Sequence, residues 1–122
     1  MTEPTQNNRS KGTKAEDIAV EYLTEKGFKI IKRNFTFGKA GEIDIVCKDK
    51  DVLVFVEVKS RSSYEYGDPI LSMTNAKIKN IRRVAEAYLY VNKIENMECR
   101  FDFIGIDLRT SKAEINYIPN AF

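Results

Sequence analysis

The chain has 122 residues, a formal net charge of +2 at pH 7 and no histidine. This length fits one domain with its own core, and the lack of histidine excludes histidine general bases, histidine-ligated metal sites and Ser-His-Asp hydrolases. The apolar runs are far shorter than the roughly 20 residues of a membrane span, and the polar N-terminus lacks the apolar stretch of a secretory signal. We therefore expect a cytoplasmic protein without a membrane partner, in which any catalysis uses carboxylates, lysines, tyrosines or a metal.

The hydrophobic pattern predicts an α/β domain with the element order α-β-β-β-α-β-β. The polar residues 1–10 predict a disordered tail, so the domain proper is expected to span residues 11–122. A helix is predicted over Lys11–Lys26, where apolar residues recur at helical spacing before a terminating glycine. The remaining predicted elements are strands over Phe28–Phe37, Glu42–Lys48 and Val52–Arg61, a loop over 62–74, a helix over Asn75–Asn92, and strands over Cys99–Asp107 and Ala113–Ile118.

The second and third predicted strands form a hairpin with an unusual arrangement of charges. A two-residue loop at Lys50-Asp51 fixes the register, and counting outward sets Asp44 opposite Glu57 and Glu42 opposite Lys59. These four side chains then share the face opposite to the apolar residues. The apolar pairs in this register are Cys47 with Val54, Ile45 with Val56 and Ile43 with Val58.

Two carboxylates set directly across a hairpin predict a metal site. Opposed residues have Cβ atoms about 4.5–5.5 Å apart, so ionised Asp44 and Glu57 repel each other unless a cation joins them. Mg²⁺ prefers hard oxygen ligands, often one or two carboxylates with water and substrate phosphate, and Mn²⁺ can take its place. The alternative is a hairpin with a solvated face and a Glu42–Lys59 ion pair, which accounts poorly for Asp44 facing Glu57.

Basic residues cluster on the second predicted helix. From Lys77 to Lys93 the sequence carries five basic residues and one acidic residue. Such a cluster suits contact with phosphates, while a solvated helix face is the alternative explanation. The predicted nucleic-acid contacts are Lys77, Lys79, Arg82 and Arg83, with Arg61 at the mouth of the metal site.

Asp44, followed on the next strand by Glu57-x-Lys59, resembles the D…(D/E)xK signature of the PD-(D/E)xK nuclease superfamily. More narrowly, residues 12 to 107 are similar to the YraN family of bacterial proteins, which is similar in fold to archaeal Holliday junction resolvases. The stretches that carry this resemblance include Gly41-Glu42-Ile43-Asp44, Val54–Arg61 and Arg100-Phe101-Asp102. It implies a restriction-endonuclease-like fold with a central mixed sheet flanked by helices.

The resemblance also implies roles for individual residues. Asp44 would be the metal-bridging aspartate, Glu57 the second ligand, and Lys59 the residue that orients the attacking water and stabilises charge on the phosphate. Glu16, on the first helix, matches a glutamate that supports the metal, with an exposed helix carboxylate as the alternative. Whether Glu42 is a ligand or a partner of Lys59 stays open.

The function that follows is Mg²⁺-dependent hydrolysis of phosphodiester bonds. No base-reading motif is visible, so we expect selection by structure, on DNA rather than RNA. A homodimer is expected by analogy with resolvases alone. Two alternatives remain open: a module of the same fold that binds nucleic acid without cutting it, and a domain whose basic helix binds an acidic protein.

Overall fold

The chain alternates helices and strands much as its hydrophobic pattern predicts. The computed structural model describes residues 7–62 and 68–122, and within them the α-β-β-β-α-β-β order is confirmed. A short 3₁₀ helix at Pro69–Ser72 precedes the second helix. The elements are α1 (Asn7–Glu25), β1 (Lys29–Thr36), β2 (Glu42–Asp49), β3 (Val52–Arg61), α2 (Asn75–Val91), β4 (Cys99–Asp107) and β5 (Glu114–Ile118).

Helix α1 begins earlier than predicted. Its first residue is Asn7, so residues 7–10 of the predicted disordered tail are helical, whereas residues 1–6 of that tail lie outside the described residues. Short polar residues such as Asn and Ser suit the first turn of a helix, which explains why polarity alone misplaced this boundary. At the other end, Gly27 adopts a φ of 96° and stops the helix as predicted.

The five strands form one mixed sheet in the order β1-β2-β3-β4-β5. Strands β3 and β4 are parallel, and the other neighbouring pairs are antiparallel. Parallel neighbours need a long crossover connection, and α2 lies within the segment that joins β3 to β4. This arrangement confirms the predicted α/β class.

The central strands β2, β3 and β4 are buried on both faces of the sheet. On one face, Ile45, Cys47 and Val56 pack with α1. On the other face, Val46 and Phe55 pack with α2 residues that include Val84. Helix α2 therefore covers the face of the hairpin that carries Val46 and Phe55.

A buried charge network ties the C-terminal segment to the sheet. Asp102 of β4 is 0% exposed and accepts hydrogen bonds from Arg100 Nε at 2.9 Å, from the Tyr117 hydroxyl and from Asn120 N at 2.8 Å. Arg100 also lies 3.3 Å from Asp49. A buried carboxylate needs such partners, so this network is a structural element and not a second acidic site.

No helix in the described part of the chain combines the length and apolar character needed to cross a bilayer.

Candidate metal and phosphate site

The β2–β3 ladder stops where the acidic residues begin. Its register runs from Asp49 with Val52 to Ile45 with Val56, as predicted, and ends there. The predicted ladder pairs Asp44 with Glu57 and Glu42 with Lys59 are therefore wrong. Asp44 Oδ2 instead accepts a hydrogen bond from Val58 N at 2.8 Å. The Asp44 side chain thus accepts a backbone N–H of β3 just beyond the last paired residues.

The side-chain alternation of β2 also breaks at Asp44. Ile43 packs in the α2 layer, whereas Ile45 packs in the α1 layer. The prediction that these two residues share a face is wrong, and the change of face falls where the pairing of β2 with β3 ends. At this break the Asp44 carboxylate binds the backbone of β3 at Val58 N.

Asp44 and Glu57 still meet, through their side chains. Both side chains line one cavity, and burial together with the charge of Glu57 raises the pKa of Asp44 to about 8. Burial also raises the pKa of Glu57, against the opposing effect of Lys59, whose Nζ lies 3.6 Å from Glu57 Oε2. The pair therefore retains a proton near neutral pH that a cation would displace.

Two further carboxylates approach Asp44. Glu16 of α1, Glu42 and Asp44 each offer an oxygen within 4.8 Å of the other two. On its far side, Glu16 lies 3.6 Å from Arg33, which also binds Asp17 at 2.8 Å. Asp44 thus belongs to two groups of carboxylates, one with Glu57 and one with Glu16 and Glu42. Carboxylate oxygens are hard ligands that suit Mg²⁺ or Mn²⁺.

These residues open onto one cavity of about 310 Å³, here called the site cavity. Its charged lining comes from β2, β3 and the first turns of α2. Lys77, one of the predicted nucleic-acid contacts, lines this cavity, and the nearby Lys59 lowers its pKa. The lining residues are Ala40, Gly41, Glu42, Asp44, Glu57, Lys59, Lys77, Asn80 and Ile81.

The remaining predicted basic residues lie elsewhere. Lys79, Arg82 and Arg83 line, with Glu86, a surface groove here called the α2 groove. The guanidinium of Arg82 lies 4.6 Å from the ring centre of Phe101. Arg61 is 3.7 Å from Asp107 and lines a different cavity, with Asp68 and Asn116 among its neighbours. The structure therefore does not bring Arg61 into the site cavity.

Sequence reasoning missed two residues that touch this region. Asn80 lines the site cavity, and its position three residues after Lys77 on a helix is the signal that could have found it. Arg33 reaches Glu16 from β1. No local sequence pattern indicates this contact, because it depends on how α1 lies across the sheet.

Comparison with known proteins identifies the family. The sequence model of the uncharacterised protein family UPF0102 matches residues 15–106. A UPF0102 protein of Clostridioides difficile (strain 630) is 45% identical over 116 residues, covering 95% of this chain and 99% of the relative. A UPF0102 protein of Acetivibrio thermocellus is 41% identical over 123 residues, covering 95% and 93% of the two chains. A third, from Syntrophomonas wolfei, is 42% identical over 115 residues, covering 94% and 99%. The chain belongs to the UPF0102 family.

Proposed function

We propose that the protein is a divalent-metal-dependent nuclease that hydrolyses phosphodiester bonds. One observation carries the proposal: Asp44, Glu57 and Lys59 converge on a single cavity although the strand ladder has ended. Two carboxylates buried side by side, beyond the end of the regular strand pairing, reduce the stability of the protein. Such locally unfavourable arrangements are typical of functional sites. The proposal includes membership of the PD-(D/E)xK superfamily and its restriction-endonuclease-like fold, to which the sequence bears a resemblance.

The donor set assigns a role to each acidic residue. Asp44 and Glu57 would hold the ion, with Glu16 and Glu42 placed to complete its carboxylate shell. When bound, Mg²⁺ or Mn²⁺ supplies Lewis acidity toward a phosphate oxygen and toward an attacking water. Lys59, 3.6 Å from Glu57, is placed to donate a hydrogen bond to that water or to a phosphate oxygen.

The α2 groove supplies the nucleic-acid contact in this proposal. Lys79, Arg82 and Arg83 face solvent on a helix whose first turns line the site cavity. Basic side chains in that position bind the phosphate backbone without reading bases. We therefore propose selection by the structure of the substrate, with DNA preferred to RNA, and affinity that falls steeply with salt.

Cleavage assays test the proposal. We expect branched or single-stranded DNA to be cut with Mg²⁺ or Mn²⁺ and not with EDTA, and Asp44→Ala and Lys59→Ala to lower the rate by about 100-fold or more. Asp51→Ala, in the exposed turn between β2 and β3, is the matched control. RNA of the same sequence and shape tests the preference for DNA.

Two outcomes would contradict the proposal. Equal cleavage by the wild type and both site variants would identify a contaminating nuclease. Salt-dependent DNA binding without cleavage, unaltered by Asp44→Ala, would instead identify a module that holds nucleic acid without cutting it.

A further inference from the structure

Asn34 has a left-handed backbone in the interior of strand β1. Its φ is 56°, whereas residues in regular strands have a φ of about −120° to −140°. This conformation is unfavourable for residues that carry a Cβ, although asparagine tolerates it better than most. Strained backbone of this kind persists where the surrounding structure requires it, and it is frequent at functional sites.

Asn34 lies across from Asp44 in the neighbouring strand. The register of β1 and β2 joins the residues that flank Asn34 to those that flank Asp44, as Arg33 with Ile45 and Phe35 with Ile43. Asn34 and Asp44 are therefore the residues between these two pairs, one on each strand. The left-handed residue thus stands opposite the carboxylate that accepts a hydrogen bond from Val58 N at 2.8 Å.

Both strands change face at this position. Residues two apart in a regular strand lie on the same face. In β1, however, Arg33 lies 3.6 Å from Glu16 of α1, whereas Phe35 packs on the other face against Tyr88 of α2, with ring centres 5.1 Å apart. The β2 partners of Arg33 and Phe35 change face in the same direction, from the α1 layer to the α2 layer. The left-handed residue is where β1 makes this turn, and its paired strand turns with it.

The turn matters for the carboxylate cluster. It lets Arg33 reach Glu16, whose carboxylate has an oxygen within 4.8 Å of oxygens from Glu42 and Asp44. A regular strand would place Arg33 and Phe35 on one face. Either the ion pair with Glu16 or the packing of the phenyl ring on α2 would then be lost.

We propose that Asn34 is a positioning residue for the metal site. Its left-handed backbone turns β1 and β2 together, so that Arg33 holds Glu16 in place and the Asp44 carboxylate reaches the backbone of β3. The inference deepens the proposed function, because it assigns how the carboxylates of that site are held, and it rests on the metal site proposed there. Neither Asn34 nor Arg33 ligates the ion in this assignment.

Substitutions that differ in backbone freedom test the role of Asn34. Mn²⁺ affinity is measured by calorimetry on each variant after circular dichroism confirms that it is folded. Asn34→Thr keeps a polar side chain but is β-branched and disfavours a positive φ, so it should bind Mn²⁺ about 10- to 100-fold more weakly than the wild type. Asn34→Gly should stay within about 3-fold of the wild type, because glycine adopts a positive φ without steric cost. A regular strand would show the reverse order, since threonine suits a strand and glycine weakens it.

Lys50 provides a matched control. It has the same φ of 56° but lies in the exposed turn between β2 and β3. Lys50→Thr introduces the same conflict between a β-branched side chain and a left-handed backbone. It should lower the melting temperature of the protein and leave Mn²⁺ affinity unchanged.

Arg33→Gln tests the assignment even if Asn34→Thr does not fold, because it leaves the backbone of β1 unaltered. It should weaken Mn²⁺ binding about 3- to 10-fold, and it should have no further effect when Glu16 is already replaced by Gln. Loss of a nearby positive charge would by itself strengthen Mn²⁺ binding, so the direction of the change separates positioning from electrostatic repulsion.

The outcomes distinguish this inference from the nuclease proposal. If the affinities follow this order but no cleavage is seen with any substrate, the nuclease proposal fails and the role of Asn34 stands. If the wild type cleaves DNA while Asn34→Thr binds Mn²⁺ as tightly as the wild type, the role of Asn34 is overturned and the nuclease proposal stands. The inference is also overturned if Asn34→Gly loses as much affinity as Asn34→Thr, if Arg33→Gln binds Mn²⁺ as tightly as the wild type or more tightly, or if the wild type binds no Mn²⁺.

Discussion

Replacing Asp44 by Asn should stabilise the metal-free protein. The amide oxygen can still accept the hydrogen bond from Val58 N, now at 2.8 Å, and the amide needs no proton to stay neutral beside Glu57. Burial raises the pKa of Asp44 from 3.8 to about 8, so at pH 7 the folded protein holds a proton that the unfolded chain releases. For each pH unit between 3.8 and 7, keeping this proton lowers the free energy of unfolding by about 1.4 kcal/mol. The gain from Asp44→Asn at pH 7 is therefore at most about 4 kcal/mol.

Structural relaxation and water entry reduce such costs, so we expect Asp44→Asn to gain about 2 kcal/mol at pH 7, or about 8 °C in melting temperature at this chain length. Since the folded pKa is raised, wild-type stability should fall as pH rises from about 4 to about 8. The advantage of Asp44→Asn should therefore be small at pH 4 and grow across this range.

Thermal unfolding in EDTA between pH 4 and pH 8 measures this effect. Asp51→Asn, in the exposed turn, is the control and should follow the wild type. Added Mg²⁺ should stabilise the wild type and not Asp44→Asn, since only the wild type keeps the ligand. An Asp44→Asn variant that is no more stable than the wild type, or whose advantage does not change with pH, would refute the reasoning.

Two further predictions concern residues outside the site cavity. Asp102→Asn should destabilise the protein by about 3 kcal/mol, because it leaves Arg100 without the buried carboxylate that Arg100 binds at 2.9 Å. Urea unfolding measures this loss, with Asp51→Asn as the control, and a loss below about 1 kcal/mol would contradict the prediction. Arg82→Ala should lower the free energy of unfolding by about 0.5–1 kcal/mol, because the guanidinium loses its contact with the Phe101 ring at 4.6 Å. It should also reduce the salt dependence of DNA binding by about one phosphate contact. An unchanged salt dependence would show that Arg82 does not contact the nucleic acid.

The sequence predicted the parts of the fold that depend on local patterns. The register from Asp49 with Val52 to Ile45 with Val56 was correct, because a two-residue turn and a buried apolar face leave no other alignment. The predicted element order was also correct, because the hydrophobic periodicity of each segment is a local signal. Val46 and Phe55, apolar residues on the same face as the charged pairs, indicated that this face is partly covered, but not that α2 covers it.

The site itself could be predicted in composition but not in geometry. Alternation and register pointed to Asp44, Glu57 and Lys59, and the structure places all three in one cavity. They meet because Asp44 leaves the ladder to bind Val58 N, a backbone event that side-chain periodicity does not encode. The positions of Lys77 and Arg61 depend on how α2 and β4 pack against β3, which is information about tertiary structure that the local pattern lacks.

A crystal structure of the protein soaked in Mn²⁺ is the most direct test of the metal site on which the proposed function depends. We predict an anomalous scattering peak about 2.1 Å from an Asp44 oxygen, with Glu57, Glu16 or Glu42 supplying a second carboxylate. No peak at Asp44 in saturating Mn²⁺, or a peak bound only by other residues, would contradict the assignment.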